Sequence, residues 1–238
     1  DRLMRADPSN PDHAKALGQS FANLGDAQLA MGRPALAAQS YRDSIAIAEG
    51  LARSDPKNAA YQGQVYVAYS KLGDALAARN DAVGAEQAYR TSRDIAARSA
   101  QAGPADARWS REFAMANVKL GDAQVVIGDN DGAVVSYGEG VSAAKRLSAA
   151  NPGDSGLRHD LAVFYEHQGD GFVASGYHGD AAKVYRESIA IREDLVAREP
   201  TNWAWPRELV PVRDKLGDAL LTLGQFDAAE ASYRLALT

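Results

Sequence analysis

KLGDALAARNDAVGAEQAYRTSRDIA, residues 71–96, carries the end of one helix, a turn and the start of the next. Leu72-Gly73-Asp74 precedes Asn80, a residue type that adopts the left-handed backbone closing a helix. Beyond the turn, Ala85, Tyr89, Ser92, Ile95 and Ala96 fall at spacings of three and four, which makes one apolar helical face. The stretch recurs every 48 residues: Gly25, Gly73, Gly121, Gly169 and Gly217 keep that step, each followed by an aspartate, Asp26, Asp74, Asp122, Asp170 and Asp218. So do Pro8, Pro56, Pro104, Pro152 and Pro200, the alanines 37, 85, 133, 181 and 229, and the tyrosines 41, 89, 137, 185 and 233. Five copies without an insertion are the signature of stacked supersecondary units, none of which can bury its apolar face alone.

That period divides the chain into the end of a preceding helix (1–7), four repeats (8–55, 56–103, 104–151, 152–199) and an incomplete fifth (200–238) in a single array. Leu3 falls 48 residues before Leu51 and Asp7 48 before Asp55, and the closing SYRLALT aligns with VYRESIA of residues 184–190. The expectation is a piece of a larger multidomain protein. Composition narrows the partners. A net charge of −5 gives no basic footprint for nucleic acid or anionic lipid, leaving proteins and peptides. The absence of cysteine excludes disulfides, thiolate nucleophiles and cysteine-ligated zinc. No run of 18 apolar residues occurs, and the opening DRLMRADP is no signal peptide, so a cytoplasmic protein is expected.

Each repeat reads as two helices. Asn10, Asn58, Asp106, Asp154 and Asn202 are placed to cap the first, with Pro11 at a first helical position, and Gly32, Asn80, Gly128, Gly176 and Gly224 to close it. In repeat 2 the first helix is predicted to end near Arg79 and the second to span about Ala82 to Ala102. Two helices of roughly 30 Å joined by a short turn pack as an antiparallel hairpin, with small side chains at the Ala85 and Ser92 positions admitting close approach and the tyrosine ring filling the space between hairpins. Pro211 lies inside a first helix, where it removes one NH and crowds the carbonyl of Arg207, so a kink is predicted; Gly138 and Gly140 weaken the second helix of repeat 3.

Counted from Leu24, the offsets of Gly25, Gly32, Ala37, Tyr41 and Ser44 resemble the tetratricopeptide repeat. The aromatic expected early in the first helix is met by Phe21, Tyr69 and Tyr165, while Asn117 and Arg213 depart, as do Gln168 and Gly171 in repeat 4. The family's usual period of about 34 residues is exceeded here by two blocks of seven, one in each helix. Seven residues make almost two full helical turns, so each helix lengthens without rotating its apolar face. Long-helix arrays of this kind resemble those of kinesin light chains and of bacterial signalling proteins. The resemblance implies an all-α, right-handed α-solenoid of helix hairpins that binds a peptide or helical segment in a concave groove, without enzymatic activity or cofactor. Self-association through the array ends is the alternative.

In that family the groove is lined by first helices, and the residues flanking Leu-Gly touch ligand. Carried over, these are Asn23 and Asp26, Lys71 and Asp74, Lys119 and Asp122, His167 and Asp170, and Lys215 and Asp218. Each pair shares a helix face at i,i+3, so lysine and aspartate can equally pair with one another or with the next repeat, and the invariant aspartates read as an architectural ladder. A carboxylate clamp, which needs unopposed lysine, is disfavoured because aspartate offsets the charge in every copy. Further groove positions, Ala22, Ser70, Val118, Glu166 and Asp214 with Leu29, Ala77, Val125, Val173 and Leu221, are mostly small and apolar. Tyr61, Trp109 and Trp205, alternating with His13 and Leu157, read as packing, whereas Trp203 has no aromatic counterpart and is the candidate exposed contact. His167 and Asp170 lack a third ligand for a metal, and no arrangement of Ser, His and Asp supports catalysis.

Overall fold

The computed structural model describes residues 10–103 and 106–237, so the expected helical segment at 1–7 lies outside the described residues. Ten α-helices and no strand occur among them: α1 Pro11–Ala30, α2 Pro34–Ser54, α3 Ala59–Ala78, α4 Ala82–Ala102, α5 Ala107–Ile127, α6 Asn130–Ala150, α7 Ser155–Ala174, α8 His178–Arg198, α9 Ala204–Thr222 and α10 Phe226–Ala236. Odd-numbered helices are the first of each repeat. None of the described helices is long and apolar enough to cross a membrane.

The helix ends match the capping residues. The Oδ1 atoms of Asn10, Asn58, Asp106 and Asp154 accept from backbone NH groups of the first turns after them. Although α9 starts one residue later, at Ala204 after Trp203, Asn202 Oδ1 still accepts the Ala204 NH at 3.2 Å, the bond to the second residue on that Asn10 and Asp106 also make. At the other end, Gly32, Asn80, Gly128, Gly176 and Gly224 have φ between 62° and 82°. The next residue in each case sends its NH back to a carbonyl five residues earlier, as in Asp81 to Leu76 at 2.9 Å, closing the helix and turning the chain within three residues. Pro211 does not break α9, which continues to Thr222, and α6 continues through Gly138 and Gly140.

The chain forms two compact units, residues up to Ala123 and residues from Gln124, with the division inside α5. In the first unit one core gathers Ala37, Tyr41, Ile45, Leu72, Leu76, Ala85, Tyr89 and Leu120, and a second joins Ala48, Val65, Tyr66, Ile95, Trp109 and Ala116. In the second unit Ala181, Tyr185, Val212, Leu216, Leu220 and Ala229 pack together. Within both, α-helices contact the next helix in sequence, α1 with α2, α2 with α3 and α3 with α4, then α6 with α7 and so on to α10. Serines of the second helices tie to carbonyls of the first: Ser44 Oγ donates to Gly18, Ser188 Oγ to Ala162 and Ser232 Oγ to Arg213.

Candidate groove and aspartate ladder

The Gly-Asp pair and the tyrosine 15 residues after the aspartate form one device. At Gly73 an added Cβ would stand 2.6 Å from Cδ1 and 2.8 Å from Cζ of Tyr89, closer than carbon atoms approach, so the bare glycine backbone admits the ring. Gly25 and Tyr41, Gly169 and Tyr185, and Gly217 and Tyr233 meet in the same way. The ring thus packs on the first helix of its own hairpin, and it also faces the next one as expected: Tyr41 and Tyr89 share a core with Leu72 and Leu120, and Tyr185 with Leu216. Tyr137 lies against Gly171 of the following repeat, where the other copies carry alanine.

Flat on the helix, the ring delivers its hydroxyl to the next residue. Tyr41, Tyr89, Tyr185 and Tyr233 donate to Asp26, Asp74, Asp170 and Asp218 at 2.7, 2.8, 2.7 and 2.7 Å. Burial first, and then the aspartate beside them, hold the phenols of Tyr41 and Tyr185 above the usual 10. The other carboxylate positions take a lysine from the following repeat. Lys71 pairs with Asp26, Lys119 reaches Asp74 at 2.7 and 2.8 Å, and Lys215 reaches Asp170 at 2.7 Å. Burial alone would raise the Asp26 carboxyl, but hydrogen bonds from Lys71 and Tyr41 outweigh it and bring it below its ordinary 3.8. The lysines therefore reach across to the aspartate of the preceding repeat. With 31%, 27% and 35% of their side chains exposed, they still face solvent.

Sequence reasoning did not find a charged cluster in the second unit. Arg192 of α8, only 3% exposed, sends Nη2 to Glu166 Oε2 at 2.7 Å and lies 3.7 Å from Glu208 through Nε. Its Nη1 donates to Ser188 Oγ and to the Ala162 carbonyl. Lys215 bridges Glu166 at 2.8 Å and Asp170, and His159 Nε2 lies 2.7 Å from Glu208 while its ring rests 5.0 Å from that of Trp205. Glu166 is half-buried, yet Lys215 and Arg192 overcome the burial and keep its carboxyl below 4.5. The signal was present: the copies of position 192 are Ala48, Ala96 and Ala144, so an arginine there demanded an acidic partner.

The aromatic positions divide as expected. Trp109 is 3% exposed and meets Tyr66 edge to face at 6.0 Å, whereas Trp203 is 71% exposed with the Arg207 guanidinium 5.4 Å above its ring. No group of three or more His, Asp or Glu able to hold a metal occurs among the described residues. In the first unit a cleft of about 340 Å³ opens along α1, α3 and α5, with Ser44, Ile47 and Ala48 of α2 as its back wall.

A tetratricopeptide repeat family model matches residues 211–238. No curated protein matches the chain. Among solved structures, BtubC (BKLC) from P. vanneervenii superposes with a TM-score of 0.74 at 20% identity, covering 99% of this chain and 83% of that one. Kinesin light chain TPR-like repeats of Podosopora anserina give 0.64 at 16% identity, with 94% of each chain covered. The Rap conjugation gene regulator of plasmid pLS20, in complex with the Phr* peptide, gives 0.54 at 16% identity over 91% of this chain and 51% of that one. These likenesses establish an all-α helical repeat solenoid.

Proposed function

We propose that this chain, a tetratricopeptide-type repeat protein, is a protein-interaction scaffold that holds a peptide or helical segment along the first helices of its repeats. The fold supports protein–protein interaction in general, and a peptide complex is named for one of the structural neighbours. The observation that carries the finer reading is the open cleft along α1, α3 and α5, lined largely by Gly18, Ala22, Ala48, Ala60, Val67 and Ala68. Such a lining accepts the apolar face of an extended or helical segment.

In this reading the aspartates Asp26, Asp74, Asp122, Asp170 and Asp218 are architectural, and the residues before Leu-Gly or its counterpart, Asn23, Lys71, Lys119, His167 and Lys215, together with Trp203, are contact positions. Selection of a displayed random 12-residue peptide library on the protein, followed by titration of the enriched peptides, tests it. Lys71→Gln, Lys119→Gln and Trp203→Ala should weaken binding severalfold while leaving the thermal transition nearly unchanged. Failure to enrich any peptide, or binding indifferent to all three substitutions, overturns the assignment.

A second reading, self-association, rests on the apolar side chains exposed around α9 and α10: Leu221, Leu223, Phe226, Leu235 and Leu237. Sedimentation should then show concentration-dependent assembly that Leu235→Glu abolishes; a monomer at all concentrations rejects it.

A further inference from the structure

We infer that the cleft of the first unit is an anchor pocket for one bulky apolar side chain of a partner peptide, with an acidic residue next to that side chain held by Lys15 and Arg108. This rests on the groove reading above and locates its strongest contact. The pocket exists because this interface lacks what fills the corresponding place in the second unit. There, Arg192 runs from α8 between α7 and α9 and is held by Glu166 and Glu208. At the matching positions of repeats 1 and 2 stand Ala48, Ala22 and Gln64, all three lining the cleft. Ser44 and Gly18 keep the backbone bond that Ser188 and Ala162 make in the other unit. The frame is the same and the plug is missing.

What would replace the plug differs in chemistry from arginine. With both matching carboxylates gone, Glu112 is the one acidic side chain in the lining, and the walls are Ala22, Ile47, Ala48, Val67, Tyr66 and Trp109. A desolvated charge would be costly there, so the anchor is apolar. The volume of about 340 Å³ exceeds the roughly 150 Å³ of an apolar cavity that accepts benzene, enough for an aromatic or leucine side chain and part of its backbone. At the rim, Lys15 forms no ion pair among the described residues, and Arg108, over the Trp109 ring at 4.9 Å, has a loose 3.5 Å contact with Asp106 as its ion pair. These two cations outnumber the one lining carboxylate, Glu112, in a chain whose net charge is −5. The local field therefore favours an anionic neighbour to the anchor.

The experiment transplants the plug. Peptides enriched from the random 12-residue library are titrated by fluorescence anisotropy against the intact chain, the A22E/A48R variant, Val67→Glu at the exposed rim and K15E/R108E. The proposal expects enriched sequences to pair an aromatic or leucine with Asp or Glu. It expects A22E/A48R and Val67→Glu each to weaken binding at least tenfold, and K15E/R108E severalfold with the salt dependence lost. Val67→Glu, a surface change, reports on the pocket even if A22E/A48R unfolds. Binding that is lost with Lys71→Gln and Lys119→Gln but unchanged by Val67→Glu and A22E/A48R sinks the pocket and leaves the groove reading standing; no enrichment at all sinks both.

Discussion

Replacing Gly73 with alanine tests whether the bare glycine exists for the tyrosine ring. In an exposed helix the substitution should stabilise, since glycine in a helix interior is about 1 kcal/mol worse than alanine. Here the new Cβ would lie 2.6 Å from Tyr89 Cδ1, and relaxing that contact toward the usual 3.5–4.0 Å means moving a ring that is only 6% exposed. Overpacking of this size costs about 1–3 kcal/mol. Displacing the ring also draws the hydroxyl away from Asp74, 2.8 Å distant, and hydrogen bonds to charged groups contribute about 1.5–3 kcal/mol. After the propensity gain, a net destabilisation of about 2–4 kcal/mol is expected.

Gly50 is the control: it lies inside α2 with nothing within 4 Å of its would-be Cβ, so Gly50→Ala should stabilise by about 0.5–1 kcal/mol. Urea unfolding monitored by far-UV circular dichroism measures both. In a Tyr89→Ala background the sign at position 73 should reverse, because the obstacle is gone, and the double-mutant cycle should show a coupling of several kcal/mol. If Gly73→Ala is as stable as the parent, or if the two positions uncouple, the glycine serves some other end and the ring is not what selects it.

The same geometry yields three further outcomes. Because the folded Glu166 carboxyl lies below its ordinary 4.5, it contributes stability above that pH and loses it as pH falls through the folded value; Glu166→Gln should flatten the stability profile below about pH 4.5, checked by urea midpoints across that range. Asn58→Ala removes acceptance from the Ala60 and Tyr61 NH groups and should cost about 1 kcal/mol, with faster amide exchange confined to the first turn of α3. Lys119→Gln should cost less than about 1 kcal/mol and depend on salt, because the pair with Asp74 is partly exposed, whereas Tyr89→Phe should cost more and be indifferent to salt; the reverse order in urea midpoints would mean that lysine, not tyrosine, holds the aspartate.

The hairpin pattern was legible because it rests on local chemistry that the sequence displays directly. Asn58 before a helix and Asn80 after it bracketed α3 to within a residue, and Ala82 to Ala102 was recovered as α4. The ladder was legible only in part. A step of 48 residues places Asp74 and Lys119 on equivalent helices, but which lysine meets which aspartate depends on how neighbouring hairpins pack, and that is a tertiary fact. The tyrosine's close contact with the glycine of its own hairpin was missed for a related reason. Glycine was read as part of a family pattern, when its lack of a side chain was the space the ring occupies. The Arg192 cluster was overlooked because attention to the repeating residues hides the ones that depart from them, and departures are where copies acquire individual chemistry.

The ladder also gives a physical reason for a period that admits no insertion. Asp26, Asp74 and Asp170 each meet a tyrosine 15 residues on and a lysine 45 residues on, both within hydrogen-bonding distance. One residue added within a helix between them rotates the remainder of that helix by about 100° and shifts it by about 1.5 Å. The rotation carries the lysine out of reach of its carboxylate, and the buried tyrosine hydroxyl loses its acceptor if the insertion falls in the hairpin. An added block of seven residues turns the helix by about 700°, close to two full turns, and its advance of about 10.5 Å is harmless where both helices of a hairpin lengthen together beyond the Asp–Tyr contact. Growth of such a repeat is thus quantised: helices lengthen in pairs of turns or the ladder breaks. The long helices of this chain and its unbroken 48-residue step are two consequences of one constraint, the need for Asp26, Asp74 and Asp170 to be shared between a tyrosine of their own hairpin and a lysine of the next.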